Sequence, residues 1–245
     1  MFIAANWKMN LKKSDIKDFL YFLKKNDFSN KIKLCIFPQS IYLSYLIDLL
    51  ENTSVLVGGQ NCYYELSGPF TGEISPECLK DIGCNYVILG HSERRTHFKE
   101  SSTHVKMCAE TALKTSLTPI ICVGESYENR MNNEELNFIE NQIYHSIPNI
   151  EENFYIAYEP IWSIGTGSIP TNEQIFKMHD HIKKIAFSIL KKDIKVLYGG
   201  SVSPNNIDEI LKVSNVDGVL IGGASLKIKD FLAIYGSVAK HVNNN

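Results

Sequence analysis

FYIAYEPIWSIGTG, residues 154–167, is the stretch that decides the fold. Phe154 to Tyr158 form an unbroken strand-like run that leads straight into an acidic residue, Glu159. An apolar run without polar alternation is a strand buried on both faces, as in a parallel sheet covered by helices. A carboxylate at the C-terminal end of such a strand is where parallel α/β folds place catalysis. Pro160 fixes φ at the start of the following loop, and Gly165 and Gly167 stand near its end. That composition suits a lid from Pro160 to about Pro170, swinging about two short hinges. A base beside a lid predicts an enzyme that hides a reactive intermediate from water.

Similar runs recur on both sides of this stretch. They are Phe2–Asn6, Lys33–Phe37, Val55–Gln60, Tyr86–Leu89, Thr118–Val123, Phe154–Glu159, Lys195–Gly199 and Gly218–Ile221. Longer segments with helical spacing lie between them. Ile16, Phe19, Leu20 and Leu23 fall at i, i+3, i+4 and i+7, one apolar stripe on a helix. Ser75-Pro76 and Ser203-Pro204 each predict a capping hydroxyl before a proline at the first helical position. Thr171 to Gln174 reads as a capping box. Strand and helix thus alternate eight times with no Pro/Gly/Ser-rich linker. The pattern predicts one α/β domain over 1–245, a closed (β/α)₈ barrel with eight parallel strands surrounded by helices. An open doubly wound sheet is the alternative.

A chain of 245 residues with 44% hydrophobic and 21% charged residues is ordinary for one α/β barrel. The formal net charge of -2 argues against a nucleic-acid partner, which calls for a basic face. It leaves room for a small anionic ligand met by local positive charge. No apolar run approaches the roughly 18–20 residues of a membrane span. The start, MFIAANWKMN, lacks the pattern of a signal peptide. The six cysteines, Cys35, Cys62, Cys78, Cys84, Cys108 and Cys122, form no CxxC pair and mostly sit in apolar runs. They read as reduced core thiols of a cytoplasmic protein, with neither a disulfide nor a zinc framework.

A barrel predicts function at the strand ends, and the polar residues of interest fall there. The first strand ends in Asn6-Trp7-Lys8, the fourth in Gly90-His91-Ser92-Glu93 and the sixth in Glu159. The seventh runs into Gly199-Gly200-Ser201 and the eighth into Gly222-Gly223. Loops after strands seven and eight are the usual phosphate site of such barrels, where glycines let backbone N–H groups approach an anion. The remaining histidines are scattered. His179 and His181, two apart on a helix, face different directions, make a poor metal pair and read as surface residues. Cys122 reads as packing.

The strings NWKMN, GHSERR, CVGE, AYEPIWSIGTG, YGGSV and IGGASL, in this order along the chain, closely resemble the triosephosphate isomerase family. The resemblance implies interconversion of D-glyceraldehyde 3-phosphate and dihydroxyacetone phosphate through an enediolate, in glycolysis and gluconeogenesis, without metal or organic cofactor. It makes Glu159 the base, His91 the electrophile, Lys8 a fixed cation, Asn6 a donor to substrate oxygens and Glu93 a brace. In that family a helix N-terminus keeps the electrophilic histidine neutral, and here Ser92-Glu93-Arg94 begins a helix-compatible segment just after His91. Phosphate binding falls to Gly165, Ser201, Gly222 and Gly223, and Tyr198 and Ser201 become candidates to latch the lid. The loop Gln60–Ser75 implies a homodimer in which Thr71 meets the partner's Asn6 and Lys8 region. Tyr63, Tyr64 and Phe70 on that loop are costly to expose and favour an interface. Ser163 and Ser168-Ile169-Pro170 depart from the family's usual lid residues. Two other readings compete: another phosphosugar barrel enzyme, such as a metal-dependent epimerase or a Schiff-base aldolase, and a non-enzymatic surface-binding barrel.

Overall fold

Eight parallel strands pair in chain order and close on themselves in this computed structural model, which describes residues 1–150, 152–163 and 169–244. The strands are β1 (Phe2–Asn6), β2 (Lys33–Phe37), β3 (Val55–Gly59), β4 (Tyr86–Leu89), β5 (Thr118–Val123), β6 (Tyr155–Tyr158), β7 (Lys195–Tyr198) and β8 (Gly218–Ile221). Closure comes from β1 against β8, with Phe2 opposite Gly218 and Ala5 opposite Ile221. The helices among the described residues are α1 (Lys13–Leu23), α2 (Leu43–Leu50), α3 (Pro76–Asp81), α4 (Ser92–His97), α5 (Ser102–Lys114), α6 (Tyr127–Met131), α7 (Glu135–Ser146), α8 (Asn172–Leu190), α9 (Ile207–Leu211) and α10 (Ile228–Asn244). The open doubly wound sheet is ruled out by the closed pairing.

Alternation along each strand splits the core into two layers. Phe2, Ala4, Phe37, Ile88, Ile120, Cys122, Ala157 and Leu220 fill the barrel interior. Their neighbours, among them Ile3, Ile36, Val87, Ile121, Ile156 and Val219, face the helices. The α1 stripe of Ile16, Phe19, Leu20 and Leu23 is buried as its spacing predicts. Each such side chain contributes about 1.5–3 kcal/mol on leaving water.

Two of the three predicted caps form. Ser75 Oγ accepts from the N–H groups of Glu77 and Cys78, with Pro76 at the first helical position. Thr171 and Gln174 make the reciprocal capping box of α8. Ser203-Pro204 does not start a helix: α9 begins after Asn206, whose side chain makes no cap bond to the helix and instead accepts from the Ser203 N–H. The cysteines are all free, and only Cys78 is exposed.

His179 is not a surface residue. It lies with Ile175, Met178, Ile182 and Ala186 on the buried stripe of α8 and is fully inaccessible. Burial pulls its pKa from 6.5 down to about 4, against the Asn215 carbonyl, which raises it. Lys183 lowers it and Asp217 raises it, but those two are paired with each other at 2.7 Å. A depressed value means the unfolded chain takes the proton more readily. The fold therefore keeps its full stability above pH 6.5 and loses it as the pH falls toward 4. At pH 4.5 the loss from this one group should be roughly 2–3 kcal/mol. Urea unfolding of wild type and His179→Phe at pH 7 and pH 4.5 should show a smaller acid loss in the variant. Equal losses would contradict the assignment.

Candidate active site

The C-terminal ends of β1, β4, β6, β7 and β8 converge on a cleft of about 310 Å³ lined by Asn6, Lys8, His91, Glu159, Ser201, Gly222 and Gly223. Every site residue expected from the strand ends is here except Glu93, which lines an adjoining cleft, and Gly165, which lies outside the described residues.

Glu159 follows β6 directly and is 1% exposed. Its Oε1 lies 2.9 Å from His91 Nε2, its Oε2 accepts from the Ser92 N–H at 2.9 Å, and the Ser92 hydroxyl donates to Oε1 at 3.3 Å. Burial raises its pKa, yet His91 and the Ser92 N–H together hold it below the usual carboxylate value, so it is ionised. Cys122 is packed in the barrel interior as expected, and its thiol there also helps to lower the Glu159 pKa. Gly124 makes the approach possible: a Cβ there would sit 1.8 Å from the Glu159 carbonyl oxygen.

His91 caps α4 with its ring. Nδ1 accepts from the Glu93 N–H at 3.2 Å, leaving the proton on Nε2, which points at Glu159. Burial lowers the His91 pKa, but the touching Glu159 carboxylate raises it by more, for a net rise. Once that carboxylate turns toward a substrate, burial, Lys8 and the positive end of α4 favour the neutral ring, against Glu93, whose Oε2 lies 3.7 Å from Nδ1 and still raises the pKa.

Lys8 takes a left-handed backbone, φ 50°, which costs a side-chain-bearing residue about 1–2 kcal/mol. Asn6 Oδ1 accepts its N–H at 2.9 Å, and Gln60 Nε2 donates to its carbonyl at 2.9 Å. Its Nζ meets Glu93 Oε1 at 2.7 Å. Glu93 thus pairs with Lys8 and not with Arg94, which pairs with Glu100. Arg95 ties the carbonyls of Gly90 and Cys122 together, bracing the ends of β4 and β5.

Beyond Glu159, Pro160 to Ser163 form a turn anchored from two sides. Glu125, fully buried, accepts at Oε1 from Tyr158, Arg130 and Trp162. Ser201 Oγ donates to the Ser163 carbonyl at 2.8 Å. Residues 164–168, five of the eleven positions of the expected lid and the first of the three hinge residues, lie outside the described residues. Sequence reasoning gives no place in the site to Glu125, Gln60 or Arg95, although CVGE contains the first, the expected dimer loop begins at the second and GHSERR ends in the third.

A sequence model of the triosephosphate isomerase family matches residues 1–238. The chain belongs to that family. Triosephosphate isomerase of Finegoldia magna is 41% identical over 238 residues, covering 94% of this chain and 95% of its own. That of Wolbachia pipientis wMel is 43% identical over 244 residues, covering 97% and 94%. The crystal structure of the Bartonella henselae triosephosphate isomerase superposes with a TM-score of 0.87 at 37% identity, over 97% of this chain and 98% of that one. As a member of the triosephosphate isomerase family the chain is an isomerase of triose phosphates, and the rival barrel chemistries are not favoured. Among the described residues no three His, Cys, Asp or Glu side chains gather as a metal site, and no helix is long and apolar enough to cross a membrane.

Proposed function

We propose that the whole chain, as one domain, interconverts D-glyceraldehyde 3-phosphate and dihydroxyacetone phosphate with Glu159 as the base. The observation that carries this reading is the meeting of a buried Glu159 carboxylate with His91 Nε2, Asn6 and Lys8 in one cleft edged by glycines. Glu159 turns from Ser92 and His91 toward the substrate, takes a proton from one carbon and returns it to the next. His91 donates from Nε2 to the carbonyl oxygen and moves its proton between the two oxygens. Lys8 and Asn6 stabilise the charge that develops there, the term that usually dominates such catalysis. Glu93 holds the Lys8 ammonium in place. Ser201, Gly222 and Gly223 take the phosphate, together with Gly165; nothing crowds the place where a Gly223 Cβ would sit. Glyceraldehyde 3-phosphate should be converted rapidly by the purified chain with a chelator present. A folded chain that converts none would overturn the reading.

The functional unit in this reading is a cytoplasmic homodimer. Tyr63, Tyr64 and Phe70 stack on one another, with ring centroids 4.2 and 4.8 Å from Tyr63, which pre-forms the loop and leaves its aromatics half-buried. Thr71 at its tip is exposed. A second cleft of about 460 Å³ opens beside Asn6 and Lys8, between Met9 and Phe98, which are 85% and 67% exposed. Such a cleft fits the partner's Thr71 loop, whose docking would cover both apolar side chains.

A further inference from the structure

We propose that His179 is a positioning residue for the active site, a wedge that sets the spacing of the two tyrosines behind the Pro160–Ser163 turn. The inference rests on the isomerase reading above. His179 reaches inward from α8 and meets Tyr158 edge-on, with centroids 5.8 Å apart at 87°, and Tyr198 at 6.4 Å and 34°. No solvent reaches it. Its Nδ1 faces the Asn215 carbonyl at 3.4 Å, which fixes the ring from the side away from the cleft, and its Nε2 has no hydrogen-bond partner. Burial keeps the ring neutral.

Both tyrosines end at the chemistry. Tyr158 immediately precedes Glu159, and its hydroxyl donates to the Glu125 oxygen that also accepts from the Trp162 indole. Tyr198 precedes Gly199, whose N–H donates to the Tyr158 carbonyl at 2.7 Å. The Tyr198 hydroxyl lies so close to Gly200 that a Cβ there would sit 2.3 Å from it, with Pro160 at 3.0 Å. The Ser163 hydroxyl adjoins the same phenol, and both hydroxyls are buried. The Tyr158 hydroxyl holds the turn through Glu125, and the Tyr198 phenol packs against Gly200 beside Pro160, so the turn is only as well placed as these two rings. A side chain touching both rings from behind is therefore placed to set where Glu159 and Trp162 stand, though it reaches neither the cleft nor its ligand. Interiors are packed densely enough that a missing ring shifts its neighbours by tenths of an ångström, and near-attack geometry is sensitive on that scale.

The test is the fate of the enediolate. If it is poorly held, its C–O bond to phosphate breaks, phosphate leaves with the electron pair, and the remaining enol tautomerises to methylglyoxal. Phosphate released per isomerisation event does not depend on the fraction of folded enzyme. His179→Leu should raise that ratio at least tenfold over wild type, and His179→Phe, which keeps a flat ring, should stay within about twofold. A lowered melting temperature with a wild-type ratio in His179→Leu would mean a purely structural role and would overturn the inference. Should wild type itself fail to isomerise, the isomerase reading falls first, a distinct outcome. If His179→Leu does not fold, the imidazole resonances of wild-type His179 are followed on adding glycerol 3-phosphate. They should shift as the turn moves, and unmoved resonances would equally overturn the proposal.

Discussion

Glu159→Asp is expected to lower kcat by about a hundredfold or more while KM changes far less. The shorter side chain withdraws the carboxylate by roughly one methylene, and a displacement near 1 Å at a reacting atom costs on the order of 10²-fold. Phosphate affinity should survive, because Ser201, Gly222 and Gly223 stand on β7 and β8 loops that the change leaves alone. The fold should survive as well: the Ser92 N–H and hydroxyl and His91 Nε2 remain to pair with the shorter carboxylate. Steady-state kinetics with circular dichroism as the folding control decides it. Unchanged turnover would remove Glu159 as the base.

Lys8→Ala is expected to lower kcat/KM by about 10²–10³-fold, the range for losing one preorganised charge or donor. Here the loss falls on kcat and KM together, since the ammonium faces both substrate phosphate and developing oxyanion. Glu93 would also lose its 2.7 Å partner and stand as an uncompensated negative charge near an anionic substrate. Glu93→Gln in the Lys8→Ala background should therefore recover part of the lost affinity. Normal kinetics for Lys8→Ala would take the residue out of the site.

The barrel is readable because its strands are apolar on consecutive residues and its helices carry one apolar stripe. The sequence pattern runs one residue past the strand end at Gln60, Glu159 and Gly199. Gln60 turns its side chain to the carbonyls of Lys8 and Phe37, whereas Glu159 and Gly199 each still donate a backbone N–H to the neighbouring strand, at the Val123 and Tyr158 carbonyls. The direct site residues are legible since each follows a strand. Their supports are not, because those contacts are long-range: Gln60 and Lys8 are 52 residues apart, and Ser92 and Glu159 are 67 apart. Nothing local in the chain encodes that Arg95 reaches the Cys122 carbonyl or that Glu125 reaches Trp162. His179 differs, since its burial is encoded: Ile175, Met178, His179 and Ile182 fall at i, i+3, i+4 and i+7, the same spacing that marks α1. Residue type suggests a surface position there, but the apolar stripe prevails in the fold: the ring enters neutral with Nδ1 against the Asn215 carbonyl, and the unpaired Nε2 is a cost the surrounding packing offsets. Ser203-Pro204 errs in the opposite direction, a local capping signal set aside for a turn closed by the Asn206 side chain.

The central claim is proton transfer through an enediolate by Glu159, and isomerisation in deuterated water tests it most directly. Dihydroxyacetone phosphate converted by the wild-type chain should give glyceraldehyde 3-phosphate partly deuterated at C2, because the proton held on Glu159 exchanges with solvent in a share of turnovers before it is returned, and the rate of deuterium entry should fall in step with turnover in Glu159→Asp. Deuterium entering as fast in Glu159→Asp as in the wild type would take the proton transfer away from Glu159 and contradict the account.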